Sequence, residues 1–416
     1  MSGLDRILDT RPLRDHPDFR RLWIGTTPAA FGHQIATVAV LLQVWHLTAN
    51  PAWVGAIGLA RAIPMIAGSL LGGPLADRLD RRRLMLWATA GATVASVLLA
   101  GQALAGADSL GLILALVAAQ ATCGSLSAPA RRALIPRLLP ADRVAAGVAL
   151  NHVSFQAAML AGPALAGLVA AAWGVAACYL VNAAASGVAL YAVARLPAIP
   201  PTGSAASPAP HLRAVIEGWR FIARRPVLRG SLLTDLAATV LAMPIALFPM
   251  VNEERFDGDP RTLGLFLTAV AVGGIAAGLT SGAITRYPHP GRVMLVAAAV
   301  WGVGLAGFGL AGPWWFAMGC LVVAGAADTV AVISRGAIVQ LATPDTHRGR
   351  VSATEHVVGA AGPDLGNYRG GLLASLTSST FSLVSGGVLC VLVVAVVAGR
   401  NRPLRRFRTT TDSEHA

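Results

Sequence analysis

The chain has 416 residues, 55% of them hydrophobic and 13% charged, with a formal net charge of +13 and a mean hydropathy of +0.62. An ordinary soluble domain carries roughly 25% charged residues, so a surface this poor in charge must largely face lipid. All 33 basic residues are arginine, and the absence of lysine excludes a Walker-A nucleotide loop and any lysine Schiff base.

Residues 1–21 are polar and charged without an apolar core, so no cleavable signal peptide is expected. A membrane helix needs about 20 mostly apolar residues. On that ruler, spans fall near 22–47, 52–75, 84–106, 110–130, 145–170 and 172–194, the last two separated only by Trp173-Gly174. The stretch 197–212 is rich in proline, serine and alanine, lacks an apolar period, and reads as a flexible linker. A second set of spans follows near 229–251, 262–284, 292–312, 314–341, 351–375 and 379–399. The expected fold is therefore an all-α membrane protein with twelve transmembrane helices in two pseudo-symmetric six-helix bundles. Its organisation is a cytoplasmic segment 1–21, a bundle 22–196, a cytoplasmic linker 197–227, a bundle 228–399 and a cytoplasmic tail 400–416.

Arginine placement tests that count. With both termini in the cytoplasm, Arg255 and Arg261 fall outside, Arg61, Arg335 and Arg369 fall within spans, and the other 28 lie inside. This is the positive-inside pattern, and it accounts for the basic charge without nucleic acid as a partner. Cys123, Cys178, Cys320 and Cys390 lie far apart in apolar runs, so neither a disulfide framework nor a metal site nor a cofactor is expected. The two halves also echo each other: the loop from Gly72 to Leu86 and that from Ser281 to Leu295 both run through small residues and arginine to Met-Leu. Internal duplication of this kind is a transporter design.

Gly73-Pro74-Leu75-Ala76-Asp77-Arg78-Leu79-Asp80-Arg81-Arg82-Arg83 lies in the inner loop after the second span. It resembles motif A of the major facilitator superfamily, with Asp80 in place of the usual glycine and able to cap the next helix. The resemblance implies a charged conformational latch involving Gly73, Asp77, Arg78, Arg81 and Arg82. In the fifth span, Gly162-Pro163-Ala164-Leu165-Ala166-Gly167 is similar to the end of motif C of the exporting antiporters, with Gly162, Pro163 and Gly167 matching. Pro129–Pro140, Gly218–Gly230 and Gln340–Ala353, with later stretches, extend the likeness to nearly the whole chain. They resemble the enterobactin-exporter and macrolide-efflux branch of the superfamily. The arginine of that superfamily's motif B is missing, and Gln120 is the bulky polar residue of the fourth span.

Charges at lipid depth cost about 2.5–3.5 kcal/mol each on insertion scales, so each needs a reason. Arg61, Asp235, Asp328, Asp364 and Arg369 are such charges, joined by His33 beside Gln34. Two readings stand: structural ion pairs between helices, or proton and substrate contacts in a cavity. Asp328 and Arg335 sit seven residues apart on one helix face, which makes Arg335 the expected neutraliser of Asp328. Asp364 follows Pro363, where a broken helix is expected to expose backbone. The acidic turn Glu253, Glu254, Asp257 and Asp259 is read as solvated loop, with a cation site as the alternative.

Together these point to a multi-pass transporter, not an enzyme, in the inner membrane of a bacterium with high-GC DNA. It is expected to be a monomer that exports an organic small molecule in exchange for protons by alternating access. A siderophore is placed ahead of drug-like substrates, because Arg61 and Arg369 suit an anionic cargo. General multidrug or macrolide efflux is the alternative, followed by a nutrient importer of the same fold.

Overall fold

The computed structural model describes the backbone of residues 9–78, 80–197 and 211–408; side chains within 69–78, 128–130, 132–133 and 211–214, and at 285, lie outside the description. The regular elements among the described residues are all helical. In chain order they are α1 (Arg11–Asp15), α2 (Pro17–Thr48), α3 (Pro51–Arg78), α4 (Arg81–Leu104), α5 (Leu110–Leu138) and α6 (Ala141–Ala194). Then come α7 (His211–Arg224), α8 (Pro226–Leu236), α9 (Phe248–Arg255), α10 (Pro260–Leu279) and α11 (Ser281–Thr285). The chain closes with α12 (Pro290–Leu310), α13 (Trp314–Ala342), α14 (Asp345–Leu376), α15 (Ser379–Arg400) and α16 (Arg402–Arg406).

Local chemistry sets where these helices start. Asp80 accepts from Arg83 N at 3.1 Å, as expected for its place before α4. Ser109 caps α5, Asp259 caps α10 and Ser378 caps α15, each satisfying an amide that the helix itself leaves unpaired. Proline opens α3, α8, α10 and α12, where its missing N–H costs nothing.

Nine helical stretches among the described residues are long and apolar enough to cross a membrane. One of them, α6, is 54 residues long with Gly174 at φ 78° inside it. Cys178 Sγ donates to Ala166 O at 3.7 Å, whereas twelve residues of straight helix span about 18 Å. The chain therefore folds back at Trp173-Gly174, and α6 is two antiparallel helices. A left-handed φ is what glycine permits there and other residues resist. Helices α2 and α14, each 32 residues, are long enough to span but more polar.

The chain divides into two compact units, residues 1–47 with 60–208, and residues 48–59 with 209–416. In the first, Leu22 of α2 and Met85 of α4 cluster with Leu134 of α5 and Val193 and Leu196 at the end of α6. Helix beginnings thus meet helix endings, the mark of antiparallel packing. In the second, Leu228 and Leu232 of α8 and Val351 of α14 meet Val339 near the end of α13, with Ile222 of α7. Small residues let backbones approach: a Cβ on Gly302 of α12 would reach the carbonyl of Gly387 on α15, and the converse also holds. Many other large apolar side chains face outward, among them Trp87, Trp173, Trp314 and Trp315 at helix ends, as membrane-interface aromatics do.

Candidate functional site

The seventh expected span, 229–251, is not a single helix. Helix α8 passes into a π-helical turn, Ala237–Leu241, then breaks at Ala242–Pro244 and resumes through a short 3-10 turn into α9. Wider turns and a break leave backbone groups without helical partners, and buried ones need replacements. Trp301 of α12 donates its indole N–H to Ala238 O at 3.2 Å. Asn367 of α14 accepts from Ala246 N at 3.1 Å. Broken helices at membrane depth mark binding sites in secondary transporters. The break expected beside Pro363 is absent: α14 runs through that proline as helix from Asp345 to Leu376. A proline keeps a helix going when neighbouring groups satisfy the backbone, and the interruption sits opposite it, on the other chain segment.

Around this broken span lie the charges of the second unit. Asp235 of α8 pairs with Arg335 of α13, and their side chains are only 12% and 19% exposed. Arg335 therefore forms its ion pair with a residue of another helix, while Asp328 on its own face stays within its charge–charge reach. The i, i+7 spacing put the two on one side of α13 but said nothing of which helix faces them. Asp328 and Glu355, both half-buried, lie within charge–charge reach of Asp235 and Arg335. Glu355 also sits one helical turn before Gly359, which lies beside the Arg335 guanidinium. Three carboxylates from α8, α13 and α14 thus share one arginine.

Further along α14, Asp364 is half-buried and its carbonyl abuts Gly58 near the start of α3, within the same unit. Arg369 is half-buried beside Gly386 of α15. Its Nε is buried without a hydrogen-bond partner, and among the described residues no ion pair engages it.

The first unit presents a different set. His33 is exposed on α2, within charge–charge reach of Arg61 and Arg131, while Gln34 donates to Met159 of α6. Arg61 is half-buried and forms no ion pair among the described residues. Gln120, the bulky polar residue of the fourth expected span, donates to Ser96 Oγ at 2.9 Å, and Asn182 donates to the same oxygen at 3.0 Å. That position is a neutral hydrogen-bond node joining α4, α5 and α6. A second buried network joins Gln43, Gln102 and Tyr179. Gly162, Pro163 and Gly167 are all buried, and a Cβ on Gly162 would collide with Gln34. The motif C-like turn is thus the face that brings α6 against α2.

Of the motif A residues, the side chains of Gly73, Asp77 and Arg78 lie outside the described residues. Arg82 donates to Ala194 O at 2.6 Å, closing the C-terminal end of α6, where a cation is favoured. Arg81 is half-buried, its Nε without a hydrogen-bond partner among the described residues.

The acidic turn after α9 is built as structure. Asp259 caps α10 and Glu254 accepts from Ser379. Arg255 donates to Gly309 O at 2.9 Å, Ala311 O at 3.1 Å and Thr380 Oγ1 at 2.6 Å. No group of three acidic, histidine or cysteine side chains among the described residues is placed to hold a metal.

Sequence reasoning missed Glu355, Asn367 and Trp301. Only Pro244 and Pro249 hinted at the broken span, and neither says which side chains repair it.

Comparison with known proteins adds a second line. The profile of the family described as transmembrane secretion effector matches residues 9–415. Proteins named enterobactin exporter EntS, from Shigella boydii serotype 18 and Escherichia coli O1:K1, are 27% identical over 418 residues, covering 99% of this chain and 98% of theirs. Among solved structures, a point mutant of the nucleoside transporter NupG aligns with a TM-score of 0.76 at 15% identity, over 92% of this chain and 99% of that one. A D-xylose–proton symporter aligns at 0.69 and 16% identity, over 92% and 97%. These likenesses carry the fold: two bundles of membrane helices in the major facilitator arrangement.

Proposed function

Because the chain belongs to the transmembrane secretion effector family of major facilitator transporters, we propose that it exports a small organic molecule, a siderophore ahead of other drug-like compounds, in exchange for protons. The observation that carries export is the end-to-end likeness to enterobactin exporters, which leaves almost no part of either chain unmatched. The protein is a multi-pass membrane transporter; the inner membrane of a bacterium, both termini in the cytoplasm and a monomeric state complete the proposal. Division at the 197–227 linker into two six-helix halves is part of it.

The geometry supports several of these roles. Arg369 is half-buried with an unpartnered Nε and retains its charge for an anionic cargo. Arg61, half-buried and without an ion pair among the described residues, is the corresponding candidate anion contact of the first unit. The interrupted span beside Asn367 supplies a place where backbone and side chains rearrange at little cost. Asp235, Asp328 and Glu355 around the lone Arg335 suit proton exchange: one guanidinium cannot neutralise three carboxylates, so the set holds protons in number set by its surroundings. Asp364 belongs to the same face of the proposal, as does His33 for the first unit. The motif A residues Asp77, Arg78 and Arg81 are the proposed latch, with Arg82 as its anchor on α6.

A strain lacking the protein tests the substrate class. Metabolite profiling of its medium is expected to show loss of an iron-chelating organic anion and its rise inside the cell. An unchanged medium, or accumulation inside the cell of cationic amphiphiles alone, overturns the siderophore reading.

A further inference from the structure

Val293, Val296, Ala297 and Val300 recur on α12 at i, i+3, i+4 and i+7, and the stretch of α13 from Val323 to Val330 repeats that spacing with its own alanines in the middle. The two helices pack as a hairpin, so the patterned faces adjoin. Alanines form the floor and valines the walls of a groove of about 490 Å³. It runs about 10 Å along the helices at 1.5 Å per residue, near a third of the ~30 Å hydrocarbon core. Val296 is 64% exposed, so in a bilayer this groove meets acyl chains.

One end of the groove has the opposite character. Tyr287 and Arg292 close it at the start of α12. Arg292 Nε donates to Arg405 O at 3.2 Å, and Arg408 Nε donates to His289 Nε2 at 3.3 Å. These bonds fold the α16 segment against the mouth and bring its arginines there. A guanidinium has five N–H donors, so one bond to the chain leaves others for a ligand. Among the described residues no carboxylate pairs with Arg286, Arg292, Arg405 or Arg408. Partial burial, then Arg292 and Arg408, lower the His289 pKa from its ordinary value, in line with its Nε2 accepting from Arg408. The mouth is a concentrated, unneutralised cation beside an apolar trough.

We propose that this groove binds one phospholipid with an anionic headgroup, its phosphate held by Arg292 and Arg408 and an acyl chain lying along the α12–α13 valines. Guanidinium groups match phosphate oxygens in pairs, and a membrane supplies both halves of the ligand in one molecule. Neutral lipid satisfies only the trough, and a free anion satisfies only the mouth. The inference is independent of what the protein exports.

Native mass spectrometry of the purified full-length protein, titrated with phosphatidylglycerol or phosphatidylcholine of identical acyl chains, reads it directly. The wild type is expected to bind phosphatidylglycerol about tenfold more tightly, a difference of ~1.4 kcal/mol. The double variant R292Q/R408Q is expected to bring the two lipids level, and V296W, which fills the trough, to weaken both. Arg292→Lys, keeping charge but not the paired donors, should retain part of the preference. A wild-type ratio near one, an unchanged ratio in R292Q/R408Q, or displacement of bound lipid by millimolar inorganic phosphate overturns the proposal.

Discussion

Arg335 is the residue on which the charged part of the second unit turns. It pairs with Asp235 across two helices while Asp328 and Glu355 remain within its field. Breaking a buried pair by removing one partner typically costs about 3–5 kcal/mol, because the other charge is left unpaired. Arg335→Gln alone is therefore expected to lower the melting temperature sharply, and Asp235→Asn to do so less, since Asp328 and Glu355 offer Arg335 other partners. The double variant Asp235→Asn/Arg335→Gln should recover much of the stability without recovering proton-coupled transport. Equal loss in both single variants, measured by thermal unfolding in detergent, contradicts a shared cluster. Asp235, Asp328 and Arg335 were all legible as charges inside apolar runs. Their pairing was not, because spacing along one helix gives its face but not its neighbour. Glu355 escaped notice since α14 is polar enough that one more acid in it carries no contrast.

At the scale of the element, most helices were visible as lengths of apolar sequence bounded by arginine, glycine or proline. The structure extends several of them by a turn or so, as α14 shows by starting at Asp345 where the apolar run suggested 351. Trp173-Gly174 was the boundary between the fifth and sixth spans, and it is where the chain reverses. Span seven shows the limit. Its apolar run is continuous, so a ruler of length and hydropathy reads straight through a break that depends on Trp301 and Asn367, contributed by distant helices. Asn367→Leu removes the acceptor for Ala246 N–H and should cost about 1–3 kcal/mol, the desolvation of an unsatisfied buried donor. Hydrogen exchange is expected to rise within residues 242–250 in that variant and to stay unchanged in α10. Unaltered exchange around the break would mean that Asn367 does not hold it. Helix α7 falls inside the expected linker, where its short amphipathic period of Ile216, Trp219 and Ile222 adjoins a Pro/Ser/Ala-rich stretch with no period of its own.

Across the whole molecule, the balance of residue types settles the environment first: few charges, arginine concentrated in alternate loops, and many bulky apolar side chains turned outward. The family match then places that architecture among secretion transporters. The arginine asymmetry carries its own prediction, because cytoplasmic loops retain positive charge. Reporter fusions at both ends and within 197–210 should all report a cytoplasmic location; an external reading at one end alone would require an odd number of crossings, and at both ends the opposite orientation. The proposed cargo was legible only as a class, since the side chains proposed to recognise it, such as Arg61 and Arg369, have a chemistry that suits many anions.

Energy coupling is the most exposed part of the account. Purified protein in liposomes, loaded with an anionic iron chelator and given an imposed pH gradient, measures it in one experiment. Gradient-driven movement of the chelator that collapses with an uncoupler, and is lost in Asp364→Asn and in the Asp235→Asn/Arg335→Gln variant at normal protein yield, is the expected result. Movement at the same rate with the gradient dissipated, or undiminished in both variants, contradicts it.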